Sequence, residues 1–171
     1  SALFEPLTLK HGPAMKNRFM LAPLTNQQSH ADGTLSDEEF RWLTMRAEGG
    51  FGLTMTCASS VQDGGQGFPG QLGAHDDRHL PGLTRLAAAL RANGTHAVLQ
   101  LHHAGMRSPV AVIGRQPICP SAHAETNSRA MTLAEIEQTR DDFIAAARRC
   151  EKAGFDGVDC MARTAIFSAS S

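Results

Sequence analysis

Glu48-Gly49-Gly50-Phe51-Gly52 closes a helical run and opens an apolar run within five residues, and the chain makes the same move twice more. Ala92-Asn93-Gly94-Thr95-His96 and Ala153-Gly154-Phe155-Asp156-Gly157 are degenerate copies of it, each with a glycine where a helix C-terminus favours a left-handed residue. Upstream of each copy lies an amphipathic helix. Ser36-Asp37-Glu38-Glu39 spells a capping box, in which the Ser36 hydroxyl takes an orphan backbone N–H and Glu39 reaches back; Phe40, Leu43 and Ala47 follow at helical spacing. Pro81 suits a first helical turn ahead of Leu83, Leu86 and Leu90. Thr132-Leu133-Ala134-Glu135 spells a second capping box and opens a longer helix, with Ile136, Phe143, Ala147 and Cys150 assigned to one face.

Downstream of the turns the short apolar runs read as strands, at residues 53–58, 97–101 and 155–158, with a further one at 19–24. Weak alternation in the first and third of these four, taken in chain order, fits strands covered on both faces. The order strand, helix, strand, helix, strand, helix, strand predicts a parallel α/β sheet. Helix-to-strand connections are tight, whereas the strand-to-helix connections at 25–35, 59–80 and 102–131 are long and polar. That asymmetry marks the carboxyl ends of the strands as the working face. Before the first strand, Leu7 and Met15 flank His11-Gly12-Pro13 as a small hairpin.

Composition narrows the function classes. With 16 Lys and Arg against 17 Asp and Glu in 171 residues, the net charge of −1 gives no electrostatic case for nucleic acid or an anionic membrane surface. Hydrophobic residues at 42% and charged residues at 19% describe a folded globular chain. No apolar stretch approaches the ~20 residues that span a bilayer, and no signal segment opens the chain, so a cytoplasmic location is expected. Cys57, Cys119, Cys150 and Cys160 form no Cys-x-x-Cys pair and read as reduced thiols.

Several suggestive groups have plainer readings. His102-His103 are successive strand residues pointing to opposite faces, a poor chelate for one ion. Gly64-Gly65-Gln66-Gly67 lacks the frame of a phosphate-binding loop and reads as a mobile loop. Asp76-Asp77 and Asp141-Asp142 read as solvated helix surface. More informative are Pro23, Leu24 and Thr25, Cys57 and Ala58, and Gln100, all at strand ends. A planar heteroaromatic ligand lying across such ends needs apolar packing, a hydroxyl donor and a two-headed amide; Thr25 and Gln100 supply the last two.

Together, Lys16-Asn17-Arg18-Phe19, Leu21-Ala22-Pro23-Leu24-Thr25, the run from Gly52-Leu53 to Cys57-Ala58, Leu99-Gln100-Leu101-His102-His103-Ala104-Gly105-Met106-Arg107, Pro117-Ile118-Cys119-Pro120-Ser121-Ala122 and Ala153-Gly154-Phe155-Asp156-Gly157-Val158 resemble, in order and spacing, the N-terminal half of the Old Yellow Enzyme family. The resemblance implies an α/β fold consisting of about four βα units, with an N-terminal hairpin, from a (β/α)8 TIM barrel. It implies FMN at the carboxyl ends of the strands, NAD(P)H as reductant, and an enone-type small molecule as substrate. By motif match, Pro23 and Leu24 would lie against the isoalloxazine, Thr25 near its C4 carbonyl and N5, Ala58 along the same edge, and Gln100 on the pyrimidine edge. Some relatives carry Cys at the position of Thr25.

After Asp159 the sequence departs from that family. Relatives typically continue Val/Ile-His-Gly-Ala-His-Gly-Tyr-Leu-Leu, whose His/His or His/Asn pair grips the substrate carbonyl, whereas this chain reads Cys160-Met161-Ala162-Arg163-Thr164-Ala165-Ile166-Phe167-Ser168. Joining the third base of each codon to the first two of the next allows His-Gly-Ala-His-Gly-Tyr-Leu-Leu across Cys160 to Ser168. The sequence therefore reads as a partial FMN-binding barrel domain at 1–159 and a non-family tail at 160–171, produced by a displaced reading frame. A complete barrel takes roughly 250 residues. Weak or no FMN retention, no enone turnover by this chain alone, and self-association through exposed half-barrel edges are expected. The competing reading is a non-catalytic truncated half-barrel, which a colourless preparation would favour.

Overall fold

The helix-to-strand turns are as tight as their sequences require. Gly50, Gly94 and Gly154 take φ of +103°, +64° and +90°, in the region where a side chain is strained. The computed structural model describes residues 1–161. Most of the tail whose frame is in question, residues 162–171, lies outside the described residues.

In chain order the main elements are β1 (Met20–Leu21), α1 (Asp37–Glu48), β2 (Leu53–Ser60), α2 (Leu80–Ala92), β3 (His96–His102), α3 (Val110–Ile113), β4 (Ile118–Cys119), β5 (Arg129–Ala130), α4 (Leu133–Ala153) and β6 (Gly157–Cys160). Strands β1, β2, β3 and β6 pair in parallel in that order, so α1, α2 and α4 each make one crossover. The alternation read from the sequence is thus the architecture. The hairpin is present as an antiparallel bridge between Leu7 and Met15, with both N–H···O bonds at 2.9 Å.

The core lies between sheet and helices. Ala97, Leu99 and Leu101 of β3 meet Leu83, Leu86 and Leu90 of α2 and Ala146, Cys150 and Ala153 of α4, all nearly inaccessible. Gln100 and His102, one residue out of phase, face the opposite side. Period-2 alternation therefore separates the residues that hold the sheet to its helices from those that reach a ligand.

Several boundaries and roles differ from expectation. β1 covers only Met20–Leu21 rather than 19–24, because Pro23 has no N–H to give to a ladder. β6 runs two residues later than expected, since Phe155 is buried in the core cluster and Asp156 closes the turn by accepting Ala97 N–H on its carboxylate. Ile136 is exposed, whereas Cys150 is buried and Phe143 and Ala147 pack against the core as expected; Thr139, Ala146 and Ala153 complete the buried face of α4. The connection between β3 and α4 carries structure of its own: β4 and β5 form a small parallel pair, with an antiparallel bridge between His123 and Ser128. The box at Thr132 is reciprocal, but the one at Ser36 is half-formed. Ser36 Oγ accepts Glu39 N–H, while the Glu39 carboxylate turns into the protein interior.

Candidate functional site

At the carboxyl end of the sheet, a cleft of about 280 Å³ is lined by Pro23, Thr25, Ala58, Gly67, Phe68, Gln100, His102, Ala104, Arg107 and Met161. Four of the five residues singled out from the sequence, Pro23, Thr25, Ala58 and Gln100, meet here. Leu24 does not line the cleft and is 56% exposed.

A β-bulge places Ala58 beside Gln100. Met55 pairs with Val98 and Ala58 with Gln100, so β2 carries one more residue than β3 across the interval. The Gln100 N–H donates to the Thr56 hydroxyl (3.2 Å), and that hydroxyl donates to the Cys57 carbonyl (2.9 Å). The Gln100 amide is then aimed by Asp159, its register partner on β6, whose carboxylate accepts from Nε2 at 2.8 Å. Gln100 is 5% exposed, and its Oε1 has no hydrogen bond among the described residues. One amide hydrogen and one carbonyl oxygen are thereby left for a ligand.

The loop between β1 and α1, which carries Thr25, is anchored from below. Glu39, fully buried, accepts hydrogen bonds from Asn26 Nδ2 (3.2 Å), Cys57 Sγ (2.8 Å) and Ser29 Oγ. Burial, reinforced by this carboxylate, pushes the Cys57 thiol well above its ordinary pKa, so it stays protonated and donates. The Thr25 hydroxyl has no protein partner among the described residues.

The glycine-rich loop is closely packed at Gly64 and Gly65. A Cβ on Gly65 would fall 2.4 Å from the His103 ring, and one on Gly64 would fall 2.5 Å from the Arg115 guanidinium. Ala104 N–H bonds Gly65 carbonyl, and Gly67 N–H bonds Gln71 Oε1. His102 and His103 diverge as their adjacency requires: His102 lines the cleft, while His103 Nε2 meets Gln62 Oε1 at 2.9 Å. Among the described residues, no group of three or more His, Cys, Asp or Glu side chains could hold a metal ion. Asp76 caps a short 3-10 turn at the Arg78 N–H, Asp77 pairs with Arg149 at 2.7 Å and Asp142 accepts from Gln62, so none joins the cleft. Cys57, Cys119 and Cys150 are buried and Cys160 is exposed, all free thiols.

Gly67, Phe68, His102, Ala104, Arg107 and Met161 line the cleft without having been assigned to it from the sequence. The first two come from the long loop after β2, and the signal for them was the length of that loop at the working face.

The profile of the NADH:flavin oxidoreductase / NADH oxidase family matches residues 2–165. The chain belongs to that family. It is 38% identical over 161 residues to the probable NADH-dependent flavin oxidoreductase YqiG of Bacillus subtilis, covering 92% of this chain and 43% of the relative. It is 36% identical over 163 residues to the NADH:fumarate oxidoreductase of Klebsiella pneumoniae, covering 92% of this chain and 18% of that protein. The Old Yellow Enzyme homologue of Zymomonas mobilis superposes with a TM-score of 0.85 at 31% identity, over 95% of this chain and 48% of that structure. The chain thus spans half or less of the length of these relatives, and its sheet is an N-terminal part of the family's α/β barrel. Among the described residues, no helix is long and apolar enough to cross a membrane.

Proposed function

We propose that this chain supplies one wall of the FMN site of an NAD(P)H-dependent oxidoreductase that reduces activated alkenes. The carrying observation is the convergence of Pro23, Thr25, Ala58 and Gln100 on one cleft at the carboxyl ends of the strands. The polar inventory fits a flavin edge. Gln100 offers a donor and an acceptor side by side, Thr25 offers a hydroxyl, and Pro23 and Ala58 give apolar packing without competing polar groups. FMN held against these residues would supply the hydride-transfer chemistry between nicotinamide and alkene. Asp159 holds the Gln100 amide in one orientation, and the bulge at residues 56–57 fixes its distance from Ala58. Leu24, exposed beside the cleft, belongs to the proposed cofactor surface only through its backbone.

The boundary at Asp159 and the displaced-frame origin of the residues after it belong to this proposal, and the encoding nucleotide sequence tests them. Titration of FMN into the 171-residue chain, read by quenching of flavin fluorescence, tests the site. Weak but saturable binding that Gln100→Ala abolishes is expected. Binding that is non-saturable, or indifferent to Gln100→Ala, counts against the reading and favours an inert half-barrel.

A further inference from the structure

We propose that Gln71, His102 and Arg107 form a subsite for the carboxylate of an unsaturated acid, so that the alkene is an anionic enoate rather than a neutral enone. The inference deepens the oxidoreductase reading and rests on it for the identity of the reaction, though not for the subsite itself.

The Gln71 amide can be oriented in only one way. Gln71 is 1% exposed. Its Oε1 accepts the Gly67 N–H at 2.7 Å, and its Nε2 donates to the Ala58 carbonyl at 2.9 Å. Exchanging the two ends would set N–H against N–H and oxygen against oxygen, so both ends are fixed. The second hydrogen on Nε2 then faces His102 Nδ1, 3.2 Å away. An amide nitrogen only donates, so His102 Nδ1 must accept. Burial lowers the His102 pKa, which keeps the ring neutral at pH 7. A neutral ring that accepts at Nδ1 carries its proton on Nε2.

That Nε2–H has no hydrogen-bond partner among the described residues, and it is not one of the sealed, unpartnered polar atoms. Because His102 lines the cleft, the Nε2–H is a fixed donor available to a ligand there. Gly67 keeps the approach open, since a Cβ at that position would sit 3.3 Å from His102 Cε1.

Among the described residues, Arg107 is the one cationic residue lining the same cleft. Its backbone is held in a 3-10 turn by its N–H to the Ala104 carbonyl (3.0 Å), and Gly105, where the turn begins, is fixed by its own N–H to His103 Nδ1 (3.0 Å). The guanidinium makes no ion pair among the described residues, in contrast to Arg85, Arg91, Arg115, Arg129, Arg140 and Arg149. A neutral directional donor and a planar cation without an ion pair among the described residues, both lining one cleft, suit a carboxylate, whose two oxygens can take both. Gln71 acts here as a positioning residue, through His102.

The test uses the 171-residue chain and a pair of unreactive probes, propionate and its neutral isostere propionamide. Imidazole nitrogen shifts measured by 15N NMR report the tautomer directly, with no flavin required. Expected are a protonated Nε2 and a bare Nδ1 at His102, a shift of Nε2 on adding propionate, and affinity for propionate about tenfold above that for propionamide. Arg107→Ala should remove that preference, and Arg107→Lys should restore part of it. Gln71→Leu should release the tautomer while leaving Arg107 in place. A proton on Nδ1 in the unaltered chain, equal affinity for the two probes, no propionate binding, or a preference that survives Arg107→Ala would overturn the proposal. Loss of NADH binding alone in Arg107→Ala, with the propionate preference kept, would assign the guanidinium to a phosphate and overturn it too. Failure of FMN to bind would sink the cofactor reading while leaving these readouts intact.

Discussion

Glu39 ties the β1–α1 loop to β2 through a fully buried carboxylate. Its spacing from Ser36 matches a capping box, yet the carboxylate is withdrawn from the helix end to bind Asn26, Ser29 and Cys57. A capping motif is a local pattern, and here three donors from the β1–α1 loop and β2 outbid one backbone N–H. Glu39→Ala would strand those donors inside the protein and should cost about 3 kcal/mol, seen as a lower urea midpoint. Glu39→Gln should cost less, because the Ser29 hydroxyl can turn to accept from the new amide. An alanine variant as stable as the parent would show that the network contributes nothing. Two buried histidines carry a second expectation at this scale. Burial, with His75 and Arg78 beside it, pushes His79 down to about 4; burial, with His102 beside it, does the same for His103. Both rings are neutral when folded, so between their folded pKa and the ordinary value of 6.5 the unfolded chain binds more protons. Stability should be fully present above pH 6.5 and fall as the pH drops from there towards 4. A urea midpoint that stays flat over that interval would contradict this.

Among the elements, those whose ends carry their own chemistry were legible. Thr132 and Glu135 close a reciprocal box, with Thr132 Oγ1 accepting Glu135 N–H at 3.2 Å and Glu135 Oε2 accepting Thr132 N–H at 2.8 Å. Arg129 and the Thr132 N–H hold the Glu135 carboxyl down at about 2. Thr132→Ala should lower stability by about 1 kcal/mol, and Thr132→Ser should recover most of it; equal melting of all three would show that the box is ornamental. The strand ends were readable for the same reason, since Pro23, Thr25, Ala58 and Gln100 sit where turn glycines and loop lengths place them. Two-residue strands such as β4 and β5 carry no period to detect. The link between Gln71 and His102 was equally hidden, because it joins residues 31 positions apart through a loop with no repeating pattern. The bulge between Met55 and Ala58 could not be read either. It is a mismatch between two strands, and neither sequence shows it alone.

For the whole molecule, the question is what the sheet does with its flanks. Among the described residues β1 pairs only with β2, and β6 only with β3, so each leaves one row of backbone groups open. The two edges are unequal. β1 is two residues long and Pro23 follows it closely, and both features blunt an edge. β6 is twice that length, and Val158 on it is 37% exposed. Met20 and Leu24 add apolar surface on the β1 side, at 50% and 56% exposure. A net charge of −1 offers little repulsion between copies. The 18.3 kDa chain should therefore self-associate, with a light-scattering mass that rises with concentration. Because β6 is the better template, Val158→Lys should suppress that rise more than Met20→Lys does. A concentration-independent monomer that melts cooperatively would show instead that the open rows are satisfied by solvent, and that the half-barrel is stable with both edges bare.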